Sequence, residues 1–160
     1  MAAASLVATA LGIILILLTA YVIAAGILGL ATSVAEAQKE MTALSIRTSG
    51  TSVRISDSTG SDPLNLVIRN TGSQMVDYTL MDVYLQYGSE IPEYFQYSLP
   101  PPPLKRWTKV SINPDLAYPG AWDPGENITI SINTGGINYT WVQVTTPVGV
   151  SDSAYLPIAP

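Results

Sequence analysis

The sequence has no cysteine, no histidine and a single phenylalanine, and only 12% of its 160 residues carry a charge. Without cysteine there are no disulfide staples and no thiol chemistry. Without histidine the chain lacks the commonest general base, the commonest zinc ligand and the usual switch near neutral pH. Charge at about half its ordinary share suits an extracellular surface or a packed assembly. The net charge of −5 gives nucleic acid no electrostatic foothold. Any nucleophile would be a Ser or Thr activated by Lys or by carboxylates. Lys39, Lys105 and Lys109, the three lysines, fall in no such motif.

The scarcity of charge is uneven, and that is what organises the chain. From Met1 to Ala35 there is no charged residue, and Leu11-Gly-Ile-Ile-Leu-Ile-Leu-Leu18 is wholly apolar apart from its glycine. A hydrocarbon core of ~30 Å needs ~20 apolar residues in a helix, which this run exceeds. A cleaved secretory signal would want a basic start and a shorter apolar core. The expectation is a retained helix in lipid or among copies of itself. Lys39, Arg47 and Arg54 follow the helix, which by the positive-inside rule would hold the remainder inside. Glu36 and Glu40 temper that count, and the sequons Asn127-Ile-Thr129 and Asn138-Tyr-Thr140 point outward. An outer C-terminal domain is the expectation, with Asn127 and Asn138 as glycosylation candidates.

Ile27, Leu30, Val34, Ala37, Met41 and Leu44 recur at steps of three and four, an apolar stripe that prolongs the helix past the first charges. A helix from near Ala3 to near Ala43 would be ~60 Å long, about twice the hydrocarbon thickness. The stripe either packs on the chain's own outer domain or on equivalent helices of other subunits. Gly12, Gly26 and Gly29 weaken a soluble helix but allow close approach in membrane packing. Their spacing specifies no dimer.

From Leu44 onward the period reads as alternating. Strands are expected at Ser52–Ser56, Leu64–Arg69, Val76–Tyr87 with a slip between Leu80 and Val83, Asn127–Ile132, Ile137–Thr146 and Ser153–Ile158. Asp57–Pro63 and Gly135-Gly136 read as turns, and Gly72 as a strand end taking positive φ. Residues 88–120 read as proline-rich loop with an edge strand near Trp107–Ile112. Pro100–Pro103 favours polyproline II. The whole predicts an α+β protein, in which a long N-terminal hydrophobic helix (1–45) precedes an immunoglobulin-like β-sandwich of seven to eight strands (46–160).

Chemistry finds little purchase. A glycosidase pair would be drawn from Glu90, Glu93, Asp115, Asp123 or Glu126, and nothing in their spacing selects one. Asp57-x-x-Gly60-x-Asp62 carries two carboxylates on a turn, too few for an EF-hand, and reads first as a solvated hairpin loop. Tyr84, Tyr87, Tyr94, Phe95, Tyr97, Trp107, Tyr118 and Trp122 crowd one region, mostly as core and loop packing. No catalytic residue, metal site or cofactor is expected.

An uncharged helix from the first residues, the extension Val34-Ala-Glu-Ala-Gln38 and a small β-domain together resemble the archaeal flagellin (archaellin) superfamily. Ile68-Arg-Asn-Thr-Gly72, Ala121-Trp-Asp-Pro-Gly-Glu126 and Val142-Gln-Val-Thr-Thr-Pro-Val-Gly-Val-Ser-Asp152 carry the likeness into the β region. In layout the chain is most similar to the accessory, stator-type proteins F and G, since it starts with the helix and not with the basic, glycine-ended leader of filament subunits.

That resemblance implies a structural component at the archaeal cell surface, anchored by its helix, with a sandwich that meets surface-layer or filament proteins. It also implies homo-oligomers. The alternative is a filament-forming archaellin or type IV pilus-like subunit whose helices bundle into the filament core. A membrane-tethered enzyme or solute-binding module is the third reading, for which a deep pocket with converging carboxylates would speak and a filled sandwich core would not.

Overall fold

The computed structural model describes residues 2–157, and for residues 2–6 and 8 the backbone only. The chain divides into two compact units, Met1–Ala43 and Leu44–Pro160. One helix, α1 (Ala2–Gly50), makes up the described residues of the first and opens the second. It runs past the expected end near Ala43, so residues 44–50 are helical where an alternating pattern was anticipated. Local chemistry accounts for the extra turns. Arg47 sits in the last turn, where a cation offsets the carbonyl dipoles. Thr48 Oγ1 donates to the Leu44 carbonyl (3.0 Å) and Thr51 Oγ1 to that of Arg47 (2.8 Å).

Eight strands follow: β1 (Val53–Thr59), β2 (Leu64–Asn70), β3 (Asp82–Gln86), β4 (Glu93–Tyr97), β5 (Arg106–Asn113), β6 (Asn127–Ile132), β7 (Trp141–Thr145) and β8 (Ser151–Tyr155). They join in the order β1-β2-β6-β5-β4-β3-β7-β8, antiparallel except for a short parallel contact of β4 with β5. That contact, Gln96 opposite Arg106 and Tyr97 opposite Trp107, links two four-stranded halves into a nearly closed sheet. The α+β class and the sandwich expected from the sequence are what the structure has.

Alternation builds the core. Leu64, Leu66 and Ile68 of β2 face inward with Ile128, Ile130 and Ile132 of β6, Val83 and Leu85 of β3, and Val142 and Val144 of β7. Trp107, Trp122 and Phe95 are fully enclosed among them. Phe95 meets Tyr139 edge-on at 5.5 Å, and Tyr97 meets Trp107 at 5.0 Å. The interior is filled by side chains.

Several expected elements differ. Val76–Leu80 is not a strand. Val76 makes a single bridge with Trp122, and Tyr78–Leu80 is a 3₁₀ turn. Asp77 is the cause: its Oδ1 accepts from Thr79 N (3.0 Å) and Thr79 Oγ1, an N-cap that diverts the backbone from a ladder. β4 lies inside the stretch read as loop. β5 is an interior strand, paired with β6 along its length and with β4 at its start, so the edge assignment for Trp107–Ile112 is corrected. β1 continues through Asp57–Thr59, residues assigned to a turn, and β7 begins at Trp141, not at Ile137. β8 begins two residues early at Ser151 and ends at Tyr155; Ile158 lies outside the described residues. Residues 99–101 bend, so the four prolines do not continue as one extended segment.

Candidate functional site

Two features stand apart from ordinary core packing, and the first is α1. Its apolar side chains are exposed on every face: Leu15 62%, Leu18 58%, Ile23 62% and Leu28 67%. The stripe residues Ile27, Leu30, Val34, Met41 and Leu44 are equally bare, between 54% and 71%. The hydroxyls of Thr19, Thr32 and Ser33 in this stretch are satisfied by the helix itself. Thr19 Oγ1 lies 2.9 Å from the Ile16 carbonyl, and Thr32 Oγ1 (2.8 Å) and Ser33 Oγ (3.1 Å) both donate to that of Gly29. Such back-bonding spares these three hydroxyls the need for water, as suits lipid. The helical segment Thr9–Gly50 is long and apolar enough to cross a membrane. A Cβ added at Gly12, Gly26 or Gly29 would meet nothing within 4 Å, so this chain's own packing does not demand glycine there.

The second feature is the β-unit, whose two ends are built differently. At the end where α1 enters, the stretches Ile68–Gly72 and Ala121–Glu126 come together. Asn70, wholly buried, donates Nδ2 to the carbonyls of Gln74 (2.9 Å) and Trp122 (3.3 Å) and accepts from Gly72 N on Oδ1 (3.0 Å). Its backbone N–H donates to the Glu126 carbonyl (2.9 Å), and its carbonyl accepts from Gly125 N (2.8 Å). Trp122 Nε1 donates to the Glu126 carbonyl (3.0 Å). Gly72 passes against the helix end, where a Cβ would stand 2.6 Å from Ser52 N. It is therefore required by close approach, and not by the positive φ expected from the sequence.

The acids in this region brace loops. Glu126 is buried, with Oε1 accepting from Leu116 N (3.1 Å) and Oε2 from Asp123 N (3.0 Å). Asp123 Oδ2 accepts from Tyr118 N (2.9 Å), and Asp115 accepts from Gly120 N (2.9 Å). These carboxylates are committed to backbone amides. Asp57 Oδ1 accepts from Ser58 N (2.8 Å), while Asp62 Oδ1 accepts from Thr134 Oγ1 (3.2 Å), so the two are engaged separately.

The opposite end is a rim of loops at 87–92, 98–105 and 133–140. It exposes Tyr87 (54%), Ile91 (85%), Leu99 (76%) and Leu104 (59%). The proline loop is tied down by Asn133, whose Nδ2 donates to the Pro102 carbonyl (3.1 Å) and whose carbonyl accepts from Lys105 N (3.0 Å). Glu93 Oε2 accepts from Tyr139 Oη (2.8 Å) and pairs with Lys105 Nζ (2.9 Å). The Lys105 hydrogen bond, seconded by that of Tyr139, holds the Glu93 carboxyl below its ordinary range. Burial, and then the Glu93 partner, push the Tyr139 phenol well above its own.

The aromatics divide between roles. Phe95, Trp107 and Trp122 are core, Tyr84 and Tyr97 are half-buried, and Tyr87, Tyr94 and Tyr118 are exposed. The two sequons also differ. Asn127 lies in the middle of the sheet, between Arg69 and Asn113, with its Oδ1 enclosed and unpartnered. Asn138 is exposed on the rim. No local pattern announces the Glu93–Lys105–Tyr139 cluster, because Glu93 at the start of β4 meets Lys105 and Tyr139 only where the β4–β5 and β6–β7 connections fold beside it.

No family model matches the chain, and no curated protein matches it. Among solved structures the fold is similar to the archaellum periplasmic stator protein FlaG from Sulfolobus acidocaldarius, at 20% identity and a TM-score of 0.49, covering 66% of this chain and 99% of that one. It is also similar to the archaellum periplasmic stator protein complex FlaF and FlaG from Sulfolobus acidocaldarius, at 19% identity and a TM-score of 0.49, covering 65% and 87%.

Proposed function

We propose that this chain is a non-enzymatic structural component of an archaellum-type surface apparatus, held in the membrane by α1 and carrying its β-unit outside. The observation that supports this most is the helix: uncharged through Ala35, exposed on all faces, with Thr19, Thr32 and Ser33 bonded to its own carbonyls. A helix apolar all round calls for lipid or for other helices. The archaeal likeness comes from the resemblance of Ile68–Gly72, Ala121–Glu126 and Val142–Asp152 to the archaellin superfamily, and the first two of these stretches form one hydrogen-bonded unit. The β-unit would meet surface-layer or filament proteins through its outer loops.

A second reading has its own support. Met41 and Leu44 extend the apolar stripe beyond the first charged residues, Glu36, Lys39 and Glu40, where lipid no longer accounts for it. Packing among copies would, which suits a filament subunit.

Shearing cells and fractionating membranes separates the two. Recovery of the chain with the membrane after shearing is expected. Recovery as the major protein of sheared filaments would replace the anchor reading with the filament one. Ile16→Lys gives a second check, since a lysine at mid-span costs about 3 kcal/mol by insertion scales and should shift the chain away from the membrane fraction.

A further inference from the structure

The rim carries a feature that neither membrane anchoring nor protein contact explains. A groove of about 500 Å³ runs between the 87–92 and 137–139 segments, with Tyr87, Ile91 and Ile137 as apolar walls and Glu90 and Tyr139 as polar ones. A second hollow of about 460 Å³ shares Tyr87 and Ile137 with it and is bounded by Asn138. Asn138 begins the sequon Asn138-Tyr-Thr140 and is exposed. The residue after it, Tyr139, is buried and anchored on Glu93. Thr140 is pinned beside the neighbouring loop: its N–H donates to the Gln86 carbonyl (2.8 Å), and its Oγ1 accepts from Gly88 N (3.1 Å). Gly135 and Gly136, both at positive φ, turn the chain outward just before the acceptor. The sequon is thus fixed at its second and third residues and free at its first.

We infer that Asn138, and not Asn127, carries an N-linked glycan whose first sugars lie in the groove against Tyr87. Asn138 Nδ2 would form the bond to sugar C1, while the C1–O bond to the phosphate leaving group of a lipid-linked donor breaks. The amide proton would pass to a base of the separate transferase. The apolar face of a pyranose suits the half-exposed Tyr87 ring, and Glu90 stands ready to accept from its hydroxyls. Asn127 differs in having its side-chain amide oxygen enclosed at the start of the interior strand β6, between Arg69 and Asn113, where the folded sheet leaves no room for a sugar beside it.

The inference rests on the outward placement proposed above, because glycan transfer of this kind serves the outer side. The test uses the full chain purified from membranes of its source cells. Peptide mass spectrometry should find sugar mass on the Asn138 peptide and none on the Asn127 peptide. Unmodified Asn138 overturns the modification, while a membrane-bound chain without sugar leaves the anchor reading intact. Thermal unfolding then tests the groove. The glycosylated chain should melt about 4 °C above Asn138→Gln, and Tyr87→Ala should abolish that difference. An increment that persists in Tyr87→Ala overturns the groove contact. Ile91→Ser, at a side chain 85% exposed, repeats the comparison if Tyr87→Ala folds poorly.

Discussion

Asn70 and Trp122, 52 residues apart, are joined where the Asn70 side-chain amide donates to the Trp122 carbonyl at 3.3 Å. Around that bond, Glu126 receives both the Asn70 backbone N–H and the Trp122 indole N–H. The end of β2 and the turn before β6 are therefore one unit. Its purpose is structural: it anchors the long loop from Pro114 to Glu126 beside the point where the helix enters.

Asn70→Ala should destabilise the β-unit by about 1–2 kcal/mol, because it removes three hydrogen bonds of a wholly buried side chain. The Trp122 carbonyl and the Gly72 N–H keep their bonds to Val76 N and the Ser52 carbonyl. Asn70→Asp should be no better, since it lacks the amide donor. Tryptophan fluorescence during urea unfolding of the detergent-solubilised chain measures both. An Asn70→Ala midpoint equal to the parent's would show that the unit is decorative.

Glycines in the two units should respond in opposite ways. At Gly72 a methyl group would press on backbone atoms of Ser52 and Thr51, so Gly72→Ala should lower stability clearly. At Gly26 and Gly29 nothing of this chain lies within 4 Å. Alanine there should leave the isolated chain as stable or gain up to ~1 kcal/mol of helix propensity. If Gly26→Ala nonetheless disrupts assemblies seen by size-exclusion chromatography, other helices pack at that face.

The fold was legible where burial and periodicity agree. Leu64–Arg69 and Asn127–Ile132 alternate cleanly because one face of each meets the core, and both were placed to within a residue. Tyr78–Leu80 misled because Asp77 overrides a strand-like composition through a local cap. Glu93–Tyr97 was hidden by flanking prolines, although Phe95, its inward residue, is fully buried. Gly72 was recognised as special but for the wrong reason, since close approach of Ser52 depends on tertiary placement that no local pattern reports.

The Glu93 cluster should make the rim sensitive at both extremes of pH. The folded Glu93 pKa lies below its ordinary 4.5, so its contribution is present above that value and is lost as pH falls through the folded pKa. The folded Tyr139 pKa lies above its ordinary 10.0, so its contribution is present below 10.0 and fades as pH climbs beyond it. Lys105→Met removes the larger cause acting on Glu93 and should flatten the acid limb while leaving the alkaline one. At neutral pH the loss should stay under about 1 kcal/mol, since both partners are substantially exposed. Melting temperatures from about pH 3 to about pH 11, which spans the ordinary values of both groups, read out the acid limb and the onset of the alkaline one. An unchanged acid limb in Lys105→Met would assign acid sensitivity elsewhere.

The last prediction concerns the one place where the sheet does not close by a ladder. β1 and β8 are the terminal strands of the order, and across their seam the Ile55 N–H donates to Asp152 Oδ2 at 2.7 Å. A carboxylate here does what a neighbouring strand's carbonyl would do, next to the irregularity between Ile55 and Asp57. An inward-turned charge and a bulge are both known means of blunting a free edge. Asp152→Ala should therefore cost roughly 1–3 kcal/mol through the orphaned amide. It should also leave β1 open to pairing with another chain. Light scattering of the detergent-solubilised variant should show concentration-dependent association that Asp152→Asn, which keeps an acceptor oxygen, largely avoids. If Asp152→Ala stays as dispersed as the parent, the bulge alone protects the edge, and the carboxylate serves only the stability of the seam.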